Sequence, residues 1–118
     1  MTPNELIQHI AKILDEKKAL DIAAIHTTEQ TIIADYFVIA SGTSSTHVKA
    51  LAEELEYEMK QLHQVRPRGI EGRASGWILL DYGTVLVHIF LKDQREYYDI
   101  ERLWEDAERA ELTIDNEQ

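Results

Sequence analysis

The chain has 118 residues, 44% of them hydrophobic, and a formal charge of -10. That length suits one compact domain burying about two-thirds of the surface its unfolded form exposes, and no apolar run reaches the roughly 18 residues of a membrane span. The lack of cysteine removes disulfides, thiolate zinc sites and cysteine nucleophiles, and the acidic balance argues against direct nucleic-acid binding, leaving little or no such contact expected, because phosphate contacts call for clustered Lys and Arg.

The opening Met1-Thr2-Pro3-Asn4-Glu5 lacks the basic and apolar regions of a secretory signal, so a cytoplasmic protein is expected. Thr2, Pro3 and Glu5 instead have the form of a capping box with proline at the first helical position. A helix should follow, with Leu6, Ile10, Ile13, Leu14 and Lys17 at spacings of three and four, and Lys17 and Lys18 near its negative end. "ALDIAAI", residues 19 to 25, reads as a strand. "DYFVIASG", residues 35 to 42, has the continuous apolar centre of a strand buried on both faces.

A second helix follows, its apolar stripe traced by Val48, Leu51, Ala52, Leu55, Met59 and Leu62, its cap supplied by Ser44 or Ser45. Pro67 forbids its continuation, and residues 66 to 76 form a loop with room for a short strand around Ile70. Residues 77 to 91 make two strands joined at Asp81-Tyr82-Gly83-Thr84. A last helix should bury Ile100, Leu103, Trp104 and Ala107, with Tyr97 joining that stripe and Tyr98 projecting elsewhere. A single domain over residues 1 to 112 is expected, with residues 113 to 118 as a frayed tail.

The order α-β-β-α-(β)-β-β-α predicts an α/β fold, a mixed sheet packed by helices. In the hairpin, an even loop places Ile78, Leu80, Val85, Val87, Ile89 and Leu91 on one aliphatic face. The reverse face then carries Trp77, Leu79, Asp81, Thr84, Leu86, His88 and Phe90, and a two-residue loop sets Trp77 directly opposite His88. Those two residues fit a hydrogen-bonded core pair or an interface anchor; no serine or acid stands in a recognisable triad order around His88.

No cofactor or metal site is expected. "IASGTSSTHVK" joins strand to helix but offers no P-loop lysine, and plain capping explains its serines. His9, His26, His47 and His63 are dispersed without zinc-ligand spacing. Residues 93 to 118 hold ten acids against Arg95, Arg102 and Arg109, a net charge of -7 that would steer basic partners toward them.

Taken together, "DYFVIASGTS", Glu71-Gly72, "GWILLDYGTVLVHIF" and "REYYDIERLW" resemble the ribosomal silencing factor family, also called Iojap-like, over nearly the whole chain. The resemblance implies a nucleotidyltransferase-like α/β fold without transferase activity. It also implies binding to ribosomal protein fourteen of the large subunit, a steric block to subunit joining that lowers translation when nutrients are short, and homodimers in some members. Carried over by position, it makes Trp77 and Tyr98 aromatic anchors and Glu71, Asp81, His88 and Arg95 their polar neighbours. An enzymatic alternative would use the Ser41 to Thr46 turn with Asp81, but the hairpin lacks the paired carboxylates that hold magnesium in a nucleotidyltransferase. A ribosome-biogenesis factor is the other alternative.

Overall fold

The computed structural model describes residues 1–28, 34–72 and 75–114. It begins with helix α1, Pro3–Glu16, whose capping box forms as expected: Thr2 Oγ1 accepts from the Glu5 amide at 3.1 Å and Glu5 Oε1 from the Thr2 amide at 2.8 Å. The bond from the Thr2 amide, with the Thr2 side chain beside it, holds the Glu5 carboxyl below its usual range. Strand β1 is Leu20–His26 and β2 is Tyr36–Gly42. Helix α2, Ser45–His63, takes Ser44 as its cap and ends on Gln64 in the left-handed conformation. Strands β3 (Gly69–Glu71), β4 (Trp77–Asp81) and β5 (Val85–Leu91) follow, then the short helices α3 (Lys92–Tyr98) and α4 (Ile100–Leu103).

The five strands form one mixed sheet in the order β1-β2-β5-β4-β3, with β2 and β5 parallel at its centre and the other pairs antiparallel. Helices α1 and α2 cover one face. Between them and the sheet lies the main core, including Ile7, Ile10, Leu14, Val38, Leu51, Leu55, Met59, Leu80, Val87 and Ile89. The short β3 closes one edge. At the other edge, residues 108–110 run beside β1, where the His26 amide donates to the Glu108 carbonyl and the Ala110 amide to the Ala24 carbonyl. Thr113 then hydrogen-bonds to Gln8 of α1 at 2.9 Å, and residues 115–118 lie outside the described residues.

The even-loop pattern holds, but the turn slides by one residue. Tyr82 donates its amide to the Val85 carbonyl, leaving Gly83 and Thr84 at the tip, and Trp77 stands opposite Phe90 while Leu79 faces His88. The Thr84 carbonyl accepts from both the Asp35 and Tyr36 amides, which draws Thr84 toward the start of β2. Because both strands shift together, the side-chain faces stay as expected.

Three apolar positions depart from their expected stripes. Leu62 is 60% exposed: α2, about 28 Å long, outruns strands of about 17 to 23 Å, and its last turn overhangs the layer. Tyr97 and Leu103 are 80% and 78% exposed because the last helix is broken at Asp99, which has φ 46°. A short polar residue tolerates that left-handed conformation. The break also lets Arg95 meet Glu101: in a continuous helix, residues six apart point about 120° away from each other and sit about 9 Å apart along the axis.

Candidate functional site

The sheet face away from α1 and α2 is built differently. Side chains of paired residues share a face, so three rows cross it: Trp77, Phe90 and Ser41; Glu71, Leu79, His88 and Ile39; Asp81, Leu86, Phe37 and Ile25. Only Ile25, Ile39 and Phe90 form a buried apolar nucleus there, and Phe37, Trp77, Ile100, Trp104 and Ala107 pack partly buried around it. The segment from α4 to Ala107 thus packs on the β1, β2 and β5 side. On β4, Trp77 and Leu79 keep part of their surface in solvent.

Aromatic rings join across this face. Trp77 stacks on Phe90 with centroids 4.8 Å apart and touches Tyr98 at 4.8 Å, and Tyr98 in turn meets Tyr97 at 5.1 Å. On the other side, Phe37 lies 4.7 Å from His88 and 5.2 Å from Trp104. The indole of Trp77 has a fixed orientation, because its Nε1–H donates to His88 Nδ1 at 3.1 Å. The contact is diagonal rather than directly across, so the expected Trp77–His88 pair forms by reach and not by register.

His88 is 5% exposed, and burial pushes its pKa down to about 4. A neutral imidazole that accepts at Nδ1 carries its proton on Nε2, and that buried nitrogen has no partner among the described residues. His88 therefore acts on Trp77 as a neutral hydrogen-bond acceptor. Tyr98, by contrast, is 48% exposed and presents ring surface outward.

The remaining candidates separate in space. Glu71 is exposed at the end of β3, in the row of Leu79 and His88. Gly72 beside it has φ 81°, and a Cβ there would collide with the Trp77 carbonyl oxygen. The Ser75 hydroxyl secures that corner, accepting from the Trp77 amide at 3.2 Å. Asp81 sits at the far end of β4, about 13 Å from Trp77 at strand spacing, where Oδ1 accepts from the Gly83 amide and Oδ2 lies 3.3 Å from Arg68.

Arg95 turns inward. Its guanidinium grips Glu101 with Nε to Oε1 at 2.9 Å and Nη2 to Oε2 at 3.1 Å, while Nη1 donates to the Asp21 carbonyl and the Ser41 hydroxyl. These hydrogen bonds hold the Glu101 carboxyl below its usual range. Arg95 thus fastens α3 and α4 to the ends of β1 and β2.

Sequence reasoning passed over Phe37 and Trp104 as parts of this face, and gave Leu79 and Leu86, which it placed there, no role. The alternation of Phe37, Ile39 and Ser41 was a usable signal, but reading it needs the parallel pairing of β2 with β5. His9 and His63, dispersed in sequence, bring their rings to 4.0 Å. Among the described residues no group of three or more His, Cys, Asp or Glu could hold a metal ion, and no helix is long and apolar enough to cross a membrane.

The parts of the enzymatic alternative do not converge. In the Ser41 to Thr46 turn, Ser44 caps α2, the Thr43 amide donates to His47 Nδ1 and Ser41 is bound by Arg95. Ser41 shares the row of Trp77, whereas Asp81 is at the opposite end of β4.

Comparison with known proteins gives one consistent result. The family model described as "Ribosomal silencing factor during starvation" matches residues 1–118. The ribosomal silencing factor of Halalkalibacterium halodurans is 39% identical over 113 residues, spanning 95% of this chain and 96% of that protein. That of Bacillus subtilis is 36% identical, spanning 95% of each. The mouse protein named for mitochondrial assembly of the ribosomal large subunit is 34% identical over 83% of this chain and 44% of its own length. A crystal structure of a Chromobacterium violaceum protein superimposes with a TM-score of 0.84 at 31% identity, covering 100% of this chain and 98% of that one.

Proposed function

The chain belongs to the ribosomal silencing factor family, and on that premise we propose that it is a non-catalytic factor that occupies the large ribosomal subunit and keeps the small subunit from joining. Its partner on the large subunit is ribosomal protein fourteen. The observation that carries this reading is the half-covered aromatic face: an oriented indole, a half-exposed phenol and partly exposed aliphatic side chains, with the carboxylates of Glu71 and Asp81 around them. Buried aromatic anchors with a polar rim are the usual anatomy of a protein interface. The charge of -10 favours encounter with a basic ribosomal protein.

In this reading Trp77 and Tyr98 are the anchors, with Glu71 and Asp81 at the rim. His88 and Arg95 act one step back, the first orienting Trp77 and the second holding the helix that carries Tyr98. Occupancy alone is the mechanism, and no bond is made or broken. Docking of this kind also suits a part in large-subunit assembly, the role in the mouse relative's name.

The test is a subunit-joining assay with purified protein, alongside a pull-down of ribosomal protein fourteen. Addition of the protein should leave free large and small subunits in place of joined ribosomes, and the pull-down should recover its partner. Unimpaired joining at saturating protein would remove the reading.

A further inference from the structure

The charge of -10 is unevenly distributed. From Met59 to Ile70 there is no carboxylate, and Lys60, Arg66 and Arg68 give that stretch a formal +3, which leaves -13 for the rest of the chain. The stretch covers the end of α2, its connection to β3 and most of β3 itself. Arg66 is exposed and takes part in no ion pair among the described residues. Arg68 has 71% of its side chain in solvent and touches Asp81 at 3.3 Å. An exposed pair of that kind contributes little to stability.

The position of these cations makes them more than solvated charges. Arg68 precedes Gly69, which pairs with Asp81, so its guanidinium stands at the tip of the aromatic sheet face, at the end away from Trp77. Pro67 removes an amide donor and holds Arg66 in extended backbone, and β3 is an edge strand with only β4 as its neighbour. A partner that covers Trp77, Leu79 and Leu86 therefore brings its flanking surface up against Arg66 and Arg68. A basic ribosomal protein at that flank would be repelled. The polyanion adjoining any protein on a ribosomal surface is the RNA backbone.

We propose that Arg66 and Arg68 form a phosphate-binding rim that contacts ribosomal RNA while the aromatic face grips the protein partner. This rests on the docking reading above and adds a second, chemically distinct contact to it. The global charge still excludes nucleic acid as the main partner, because the rest of the surface repels it. The rim would thus be silent on free RNA and act only when the aromatic face has already placed it.

The sign of the charge effect tests this. Arg66→Gln with Arg68→Gln should weaken binding to whole large subunits by about tenfold at low salt and flatten the dependence of log K on log salt by about 1.5, the amount expected for two phosphate contacts. Toward isolated ribosomal protein fourteen the same variant should bind as well as the parent or slightly better, since it is two charges more acidic. Arg66→Lys with Arg68→Lys should keep the parent slope. Melting temperatures of both variants should match the parent, because both side chains are exposed. An unchanged slope on whole subunits, or equal weakening toward the isolated protein, would overturn the rim. If the parent binds neither whole subunits nor the isolated protein, the docking reading falls first.

Discussion

The two faces of this sheet use the same strands for different ends. Toward α1 and α2, every inward strand position from Tyr36 to Ile89 packs into an aliphatic core sealed by two long helices. On the reverse, three buried apolar residues carry a set of aromatic rings that two short helices cover in part. Alternation along a strand makes this division possible, because residues one apart in sequence report to different faces. The proposed function gives stability to the first face and recognition to the second, and that division can be broken at either end.

The largest effect should come from the sealed face. Leu55→Ala removes a side chain with no exposed surface and should cost about 2 to 5 kcal/mol in equilibrium urea unfolding. Affinity of the remaining folded molecules for large subunits should not change. A loss of affinity without loss of stability would break the division.

Acid should act through the other face. His88 stays neutral in the folded protein down to about pH 4, whereas unfolded it takes up its proton near 6.5. Between those values the unfolded chain binds more protons, so His88 leaves stability intact above about 6.5 and lowers it as pH falls toward 4, by up to about 3 kcal/mol. His88→Gln keeps an acceptor for the Trp77 indole but cannot titrate. Its urea midpoint should fall less between pH 6.5 and 4 than the parent's, and a profile matching the parent's would remove His88 as the cause. Loss of the indole hydrogen bond, read from tryptophan fluorescence, should follow acidification of the parent only.

Tyr98→Ala sharpens the comparison from the recognition side. A phenol 48% exposed contributes modestly to the fold, so the melting temperature should barely move, yet sedimentation with large subunits should weaken by about 1.5 to 3 kcal/mol. Trp77→Ala should show the same binding loss with an added stability cost, since that ring also stacks on Phe90. Unchanged co-sedimentation of both variants would take the anchors away.

How far these features can be read from sequence depends on their range. The capping box at Thr2, the Ser44 cap and the alternation of the hairpin are local, and each is set by residues within a few positions. The parallel pairing of β2 with β5 joins segments some fifty residues apart, and nothing in either strand specifies its neighbour. Phe37 was missed for that reason. The break at Asp99 was hidden because its partners are tertiary: it brings Glu101 back onto Arg95, whose guanidinium also holds the Asp21 carbonyl and the Ser41 hydroxyl. Of the six candidate residues, Trp77 and His88 meet as their shared face implied, Tyr98 joins them through the fold, and Arg95 pairs inward with the carboxylate of Glu101.

The smallest effect, and the finest cut, concerns Leu79. It lies in one row between Glu71 and His88, on β4, and keeps part of its surface in solvent where the reverse face is not sealed. A leucine in that position gains little from the monomer, and if the recognition surface ended at Trp77 and Tyr98 it would gain little from the complex. If the surface continues along β4 toward Asp81, docking buries the remaining apolar area, at about 25 cal/mol per Å². Leu79→Ser should then leave urea stability within about 1 kcal/mol of the parent and weaken large-subunit binding by a similar amount, about fivefold. Binding equal to the parent would confine recognition to the Trp77 end of the strand and leave the Arg68 tip, about 13 Å away, outside the interface.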